Sequence, residues 1–202
     1  MMTPATPHKL TTHPAWLRVT HWLNALAVLI MVMSGWQIYN ASPLFPFEFP
    51  KAITLGGWLG GALLWHFAAV WLLVANGLFY LVLSLVTGRF RRQLVPLRLR
   101  EVWRDLLAAL RGQLSHDDLT QYNAVQKLAY IVAILDLVVI VLSGLVIFKP
   151  VQFPHLRVLL GGYDSARVVH FLGMAILVGF VVVHVVMAAA VPRTILAMIR
   201  GR

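Results

Sequence analysis

Residues 170–184 read HFLGMAILVGFVVVH, thirteen mostly apolar residues closed at each end by a histidine. A segment this apolar belongs in lipid or in a deep core, and both places are costly for a polar imidazole. At 3.6 residues per turn His170 and His184 fall within about 40° of each other on one helical face, roughly 21 Å apart along the axis. That is too far for one metal ion. It suits two separate centres stacked along one helix.

The rest of the chain sets the environment. Of its 202 residues 60% are hydrophobic and 12% charged, against about 25% charged in a soluble domain, and the mean hydropathy is +0.80. The apolar residues come in blocks long enough to cross a bilayer, which takes roughly 20 residues. Spans at about 16–39, 57–87, 126–148 and 166–191 predict an all-α integral membrane protein, one four-helix bundle forming a single domain over 1–202. Strands do not fit, because the runs are too long for a barrel and lipid-exposed backbone must satisfy its own hydrogen bonds. The apolar part of the first span is too long for a cleaved signal sequence, and no A-x-A-like site follows it. The absence of cysteine excludes disulfides, thiolate metal sites, cysteine-ligated iron–sulfur clusters and c-type haem attachment.

The formal charge of +10 raises nucleic acid or a membrane as partners, and its distribution decides between them. With both termini in the cytoplasm, the N-terminal arm from Lys9, the 88–125 loop and the tail to Arg202 share one side. That side and its span ends hold every Lys and Arg except Lys51, Lys149, Arg157 and Arg167. This is the positive-inside asymmetry, and no basic soluble domain remains for nucleic acid. Within the 88–125 loop, Leu99, Val102, Trp103, Leu106, Leu107 and Leu110 recur at helical spacing, with charges on the other face. The pattern predicts an amphipathic helix on the cytoplasmic membrane surface, stopped at Gly112.

A weak internal echo divides the chain. SGWQIY ends the first span and SGLVIF the third; HFAAVWLLVANGLFY in the second span resembles the opening stretch in the fourth. Aligned so, His66 matches His170, Tyr80 matches His184, and His21 matches Tyr130. Four membrane histidines stand out: His21, His66, His170 and His184. A lone histidine in such a helix often just hydrogen-bonds a neighbour, but four in four short spans are harder to explain that way. Depth along the spans, taken with the charge asymmetry, pairs His21 with His184 near the cytoplasm and His66 with His170 near the opposite surface. Histidine pairs on facing helices are the arrangement for bis-imidazole haem ligation. Zinc or copper is a poorer match, since two histidines per centre are too few and no carboxylate or thiolate stands near. Gly35, Gly77, Gly144, Gly173 and Gly179 can admit a macrocycle or serve helix packing. Arg18 and Arg167 can pair with haem propionates or snorkel to the interface. Asp136, mid-span where charge is expensive, reads either as a protonated group bonded to a neighbouring helix, which is preferred, or as part of a proton route. His8, His13, His116 and His155 read as ordinary loop histidines.

The run RVTHWLNALAVLIMVMSG (18–35) resembles the first helix of the bacterial cytochrome b561 and nickel-iron hydrogenase b-type cytochrome superfamily. YNAVQKLAY (122–130) resembles the signature of its formate dehydrogenase gamma and thiosulfate reductase cytochrome b branch. The resemblance implies a four-helix cytochrome with two haem b groups in a bacterial inner membrane, ligated by His21 with His184 and His66 with His170. It also implies a quinone site near the cytoplasmic haem, with Asn123 and Gln126 at the matching positions. Electrons would pass between the quinone and a periplasmic redox protein such as a molybdenum-containing oxidoreductase, in a chain that also contacts lipid and is free to form a homodimer. One alternative is a free-standing quinone oxidoreductase of the same fold acting on a small molecule such as superoxide. Another, of a different class, is a transporter or structural bundle without haem.

Overall fold

A computed structural model describes residues 13–111 and 122–201. Lys9, His8, Gly112, His116 and Arg202 lie outside the described residues, as does the side chain of Leu110. The described chain is helical: α1 (Ala15–Ala41), α2 (Leu59–Val86), α3 (Arg89–Leu94), α4 (Leu99–Leu110), α5 (Ala124–Phe148), α6 (Pro154–Leu159), α7 (Tyr163–Ala190) and α8 (Pro192–Arg200). A 3₁₀ turn at Lys51–Ile53 precedes α2, and no strand occurs among the described residues. Helices α1, α2, α5 and α7 are each long and apolar enough to cross a membrane.

Burial runs opposite to a soluble fold. Most of the fully covered positions on the spans are small, among them Ala27, Ala62, Ala166, Ser34 and Ser143, with Val146 the largest. Large apolar side chains point outward; Leu64 and Trp71 are each 74% exposed. Between helices in lipid there is no hydrophobic drive to associate, so close packing of small residues and buried hydrogen bonds hold the contact. Asn76 of α2 supplies such bonds, donating to the Thr20 carbonyl at 2.8 Å and to Asn24 Oδ1 at 2.7 Å across the α1–α2 interface.

The architecture is two antiparallel hairpins, α1–α2 and α5–α7, each tightly packed within itself. Among the described residues, the long helices of different hairpins make few close backbone approaches. Straps join the hairpins at both ends. On the side of the termini, Arg18 Nη1 of α1 donates to the Ile199 carbonyl at 2.6 Å, and Trp22 Nε1 reaches the Met198 carbonyl at 3.4 Å. These acceptors lie in the last turn of α8, where helix carbonyls run out of intrahelical donors and favour a cation. On the far side, Arg167 of α7 donates to the carbonyl and, at 3.2 Å, the hydroxyl of Ser42. There Phe171 also packs its ring 5.1 Å from Tyr39 and 5.2 Å from Phe45, in the Phe-Pro-rich loop after α1.

Several boundaries differ from the sequence expectation, as does the short α3. The amphipathic stretch after it forms a helix of its own, α4, as expected. It docks on α5 through Asp105, whose Oδ2 accepts from the Ala124 N–H at 2.9 Å. An acidic side chain there satisfies an orphan donor and meets the positive end of α5. Leu99, Trp103 and Leu107 remain exposed as one stripe, Trp103 at 65%. Helix α5 starts at Ala124 because Asn123 and Gln126 form a capping box. The tail forms α8 because Pro192 breaks the fourth span and pushes Val191 out of the helical region (φ −126°, ψ 77°).

Candidate haem sites

The long helices bring four imidazoles into two pairs. His21 stands six residues after the start of α1, and His184 stands six residues before the end of α7. Their ring centroids are 6.0 Å apart. His66 and His170 each stand seven residues after the first residue of α2 and α7, about 10 Å inside the far end at 1.5 Å per residue. Their centroids are 6.4 Å apart. The span limits read from sequence put His66 deeper than His170; with α2 starting at Leu59 and α7 at Tyr163 the two depths agree. Each pair bridges the two hairpins, and α7 contributes one ring to both.

The donor set can be tested against haem iron. An imidazole nitrogen lies about 2.0–2.1 Å from a bound metal ion, and the two rings of each pair stand close enough for both to reach one ion between them. Among the described residues no group of three or more His, Asp or Glu side chains gathers as a metal site. Two donors per centre are too few for zinc or copper and would suit a haem held by one imidazole from each hairpin. At Gly77 and Gly179 an added Cβ would meet nothing within 4 Å, so neither glycine serves a close helix contact among the described residues.

The other glycines have different neighbours. A Cβ at Gly35 would lie 3.5 Å from His66 Cε1, and one at Gly144 would lie 3.2 Å from His170 Cε1. These glycines let the imidazoles lie against the facing helix. Gly173 opens a notch on α7 for Ile140 and Asp136 of α5, 2.7 and 3.2 Å from where its Cβ would be. The expected bond from Asp136 to a neighbouring helix is not found: its Oδ2 is buried with no hydrogen-bond partner among the described residues.

The partners of the histidine Nδ1 atoms distinguish the pairs. His66 Nδ1 lies 3.0 Å from Ser34 Oγ. His170 Nδ1 lies 3.1 Å from Ser143 Oγ and 2.9 Å from the Ile140 carbonyl. In the pair near the termini, His21 Nδ1 is buried without a partner among the described residues. Trp22 meets the His21 ring edge-on at 5.1 Å, and Phe180 stacks on His184 at 5.7 Å. Sequence reading passed over Ser34, Ser143, Asn24 and Asn76. The Ser-Gly echo was the available signal for the two serines, since each precedes the glycine that faces a histidine.

The remaining candidates sit around these pairs. Arg18 and Arg167 each lie three residues before a paired histidine, on its surface side, and both contribute to the straps. Arg18 Nε is buried and has no partner among the described residues. Asn123 Oδ1 accepts from the Gln126 N–H at 2.8 Å, and Gln126 Oε1 from the Asn123 N–H at 3.1 Å. Their carbonyl oxygens are thus used in the cap, while their amide nitrogens are not. A ring series, Tyr122–Tyr130 at 5.0 Å, Tyr130–Phe180 at 6.4 Å and then Phe180–His184, connects this corner to the pair near the termini. Among the other histidines, His13 is buried rather than solvated, its Nδ1 3.5 Å from Arg89 Nη2.

The profile of the prokaryotic cytochrome b561 family matches residues 12–201. The chain is 65% identical over 189 residues to a protein of Azospira oryzae named putative protein-methionine-sulfoxide reductase subunit YedZ1, covering 94% of this chain and 96% of that one. It is 25% identical over 190 residues to the probable Ni/Fe-hydrogenase B-type cytochrome subunit of Cupriavidus necator, covering 84% of this chain and 74% of that one.

Proposed function

The chain belongs to the prokaryotic cytochrome b561 family, and from that premise we propose that it is a dihaem cytochrome carrying electrons between quinone and a redox enzyme outside the membrane. Family membership makes it a multi-pass membrane protein that binds b-type haem. The observation that carries the count of two is the pair of imidazole pairs, at 6.0 and 6.4 Å, set on one shared helix. Haem iron, when bound, supplies reversible one-electron chemistry. His21 and His184 hold the site on the cytoplasmic side; His66 and His170 hold the periplasmic one. Arg18, with its unused buried Nε, and Arg167 offer donors to the propionates. The amide nitrogens of Asn123 and Gln126 offer donors to a quinone carbonyl beside the cytoplasmic pair. The exposed apolar stripe of α4 rests in the interface of a bacterial inner membrane.

A partner of this kind is supported by the relative that is 65% identical and named as a subunit of a putative protein-methionine-sulfoxide reductase. A reductase of oxidised methionine in periplasmic proteins, using molybdenum or a comparable two-electron centre, would consume electrons that the quinol supplies. The flow then runs from Asn123 and Gln126 past His184 and His170 to the far surface. The purified protein should show the split Soret and alpha bands of reduced b haem with about two haems per chain. His66→Ala and His21→Ala should each remove one. A single haem in the wild-type protein, or variants that keep both, would remove the two-site reading.

A further inference from the structure

The far pair and the near pair are held by different chemistry, and the difference has a redox consequence. A serine hydroxyl carries one proton and can accept two hydrogen bonds. Ser34 Oγ lies 2.6 Å from the Ile30 carbonyl, and Ser143 Oγ lies 2.8 Å from the Val139 carbonyl. A carbonyl only accepts, so each hydroxyl proton is spent on the serine's own helix. The oxygen lone pairs are then what meets the histidine Nδ1 atoms at 3.0 and 3.1 Å. Both Nδ1 atoms must therefore donate. His170 supplies an independent check, because its Nδ1 also lies 2.9 Å from the Ile140 carbonyl, another group that cannot donate. The proton on Nδ1 leaves Nε2 with the lone pair that a metal ion takes.

The same device occurs once in each hairpin: a fully buried serine, the next residue a glycine against which the imidazole lies, and a histidine from the neighbouring helix. The near pair lacks it. His21 Nδ1 has no partner among the described residues, and the neighbours of His184 are the rings of His21 and Phe180. A hydrogen bond accepted from the distal nitrogen raises the basicity of a ligating imidazole. A more electron-rich ligand favours ferric over ferrous iron and lowers the potential.

We propose that Ser34 and Ser143 are positioning residues that hold His66 and His170 as Nδ1–H tautomers and set the far site at a lower midpoint potential than the near one. The proposal rests on the two-haem reading. Its test is a spectroelectrochemical titration of the purified two-haem protein, with the far haem identified as the one lost in His170→Ala. In the wild type the far haem should titrate at the lower potential. Ser34→Ala and Ser143→Ala should each raise the far midpoint and leave the near one in place. The expected size is up to tenfold in the one-electron equilibrium per serine, or about 59 mV. Ser34→Thr and Ser143→Thr, which restore the hydroxyl, should bring the midpoint back. Should the alanine variants shed the far haem, its return with the wild-type midpoint in the threonine variants supports the assignment, and its failure to return overturns it. Unmoved midpoints in an intact two-haem protein, equal shifts at both haems, or a far haem that is the higher of the two would also overturn it. A protein that never holds two haems would instead refute the function reading.

Discussion

His13 shows how one residue ties stability to pH at the strap on the termini side. It precedes α1, is only 9% exposed, and faces Arg89. Its carbonyl and Arg18 both lie against Gly201, where a Cβ would be 3.3 and 3.2 Å away, and that residue takes φ +80° to end α8. Burial first, and then the charges of Arg89 and Arg18, push the His13 imidazole below its ordinary value, near 6.5. The folded protein therefore holds this side chain neutral where the unfolded chain would begin to protonate it. Between the lowered value and about 6.5 the unfolded state binds more protons, so stability rises with pH. The contribution is complete above that range and is lost as pH falls through it. Thermal unfolding in detergent should show a lower melting temperature at pH 5.5 than at pH 7.5. In His13→Gln the part of that difference due to this residue should vanish; an unchanged pH dependence would place its origin elsewhere.

At the scale of elements, the start of α5 is where structure and proposed function overlap. Asn123 and Gln126 cap the helix reciprocally, and Asp105 of α4 takes the Ala124 N–H. Loss of an N-cap costs about 0.5–2 kcal/mol, so Asn123→Ala should lower the melting temperature whatever its effect on quinone. Asn123→Asp keeps the capping oxygen and removes the amide donor. If the amide serves a quinone carbonyl, Asn123→Asp should melt like wild type and still turn over quinol poorly, with the loss in KM. Normal quinol kinetics in that variant would leave Asn123 a cap alone. The spans were legible because long apolar runs have few other uses, and the partnership of His21 with His184 and His66 with His170 followed from depth along them. The capping box was equally present in the sequence as Asn-x-x-Gln before an apolar run, but the quinone reading of the same two residues obscured it. Ser34 and Ser143 were not legible from single spans, since a serine in an apolar helix commonly bonds its own backbone. Only the facing histidine gives that oxygen a second partner. Helices α6 and α8 escaped notice because they are too short for a period to register.

At the scale of the molecule, the shared helix places the two proposed centres at different depths in an electric field. His184 and His170 are separated by roughly 21 Å of helix rise, about two-thirds of a hydrocarbon core near 30 Å thick. An electron passing from the cytoplasmic site to the periplasmic one leaves the negative side of an energised membrane. The whole membrane is worth about 2.3 kcal/mol per charge per 100 mV, so this step gains roughly 1.5 kcal/mol per 100 mV, close to tenfold in equilibrium. That gain offsets the opposing step that a lower-potential far site imposes. The serine device and the outward direction of flow are therefore compatible in an energised cell. In membrane vesicles of native orientation reduced by quinol, the far haem should be more reduced while the membrane potential is maintained. Dissipating the potential with an ionophore should lower that level several-fold relative to the near haem, and in Ser34→Ala with Ser143→Ala the far haem should stay largely reduced after dissipation. A far haem whose reduction ignores the membrane potential would mean that the two centres do not divide the membrane as α7 implies.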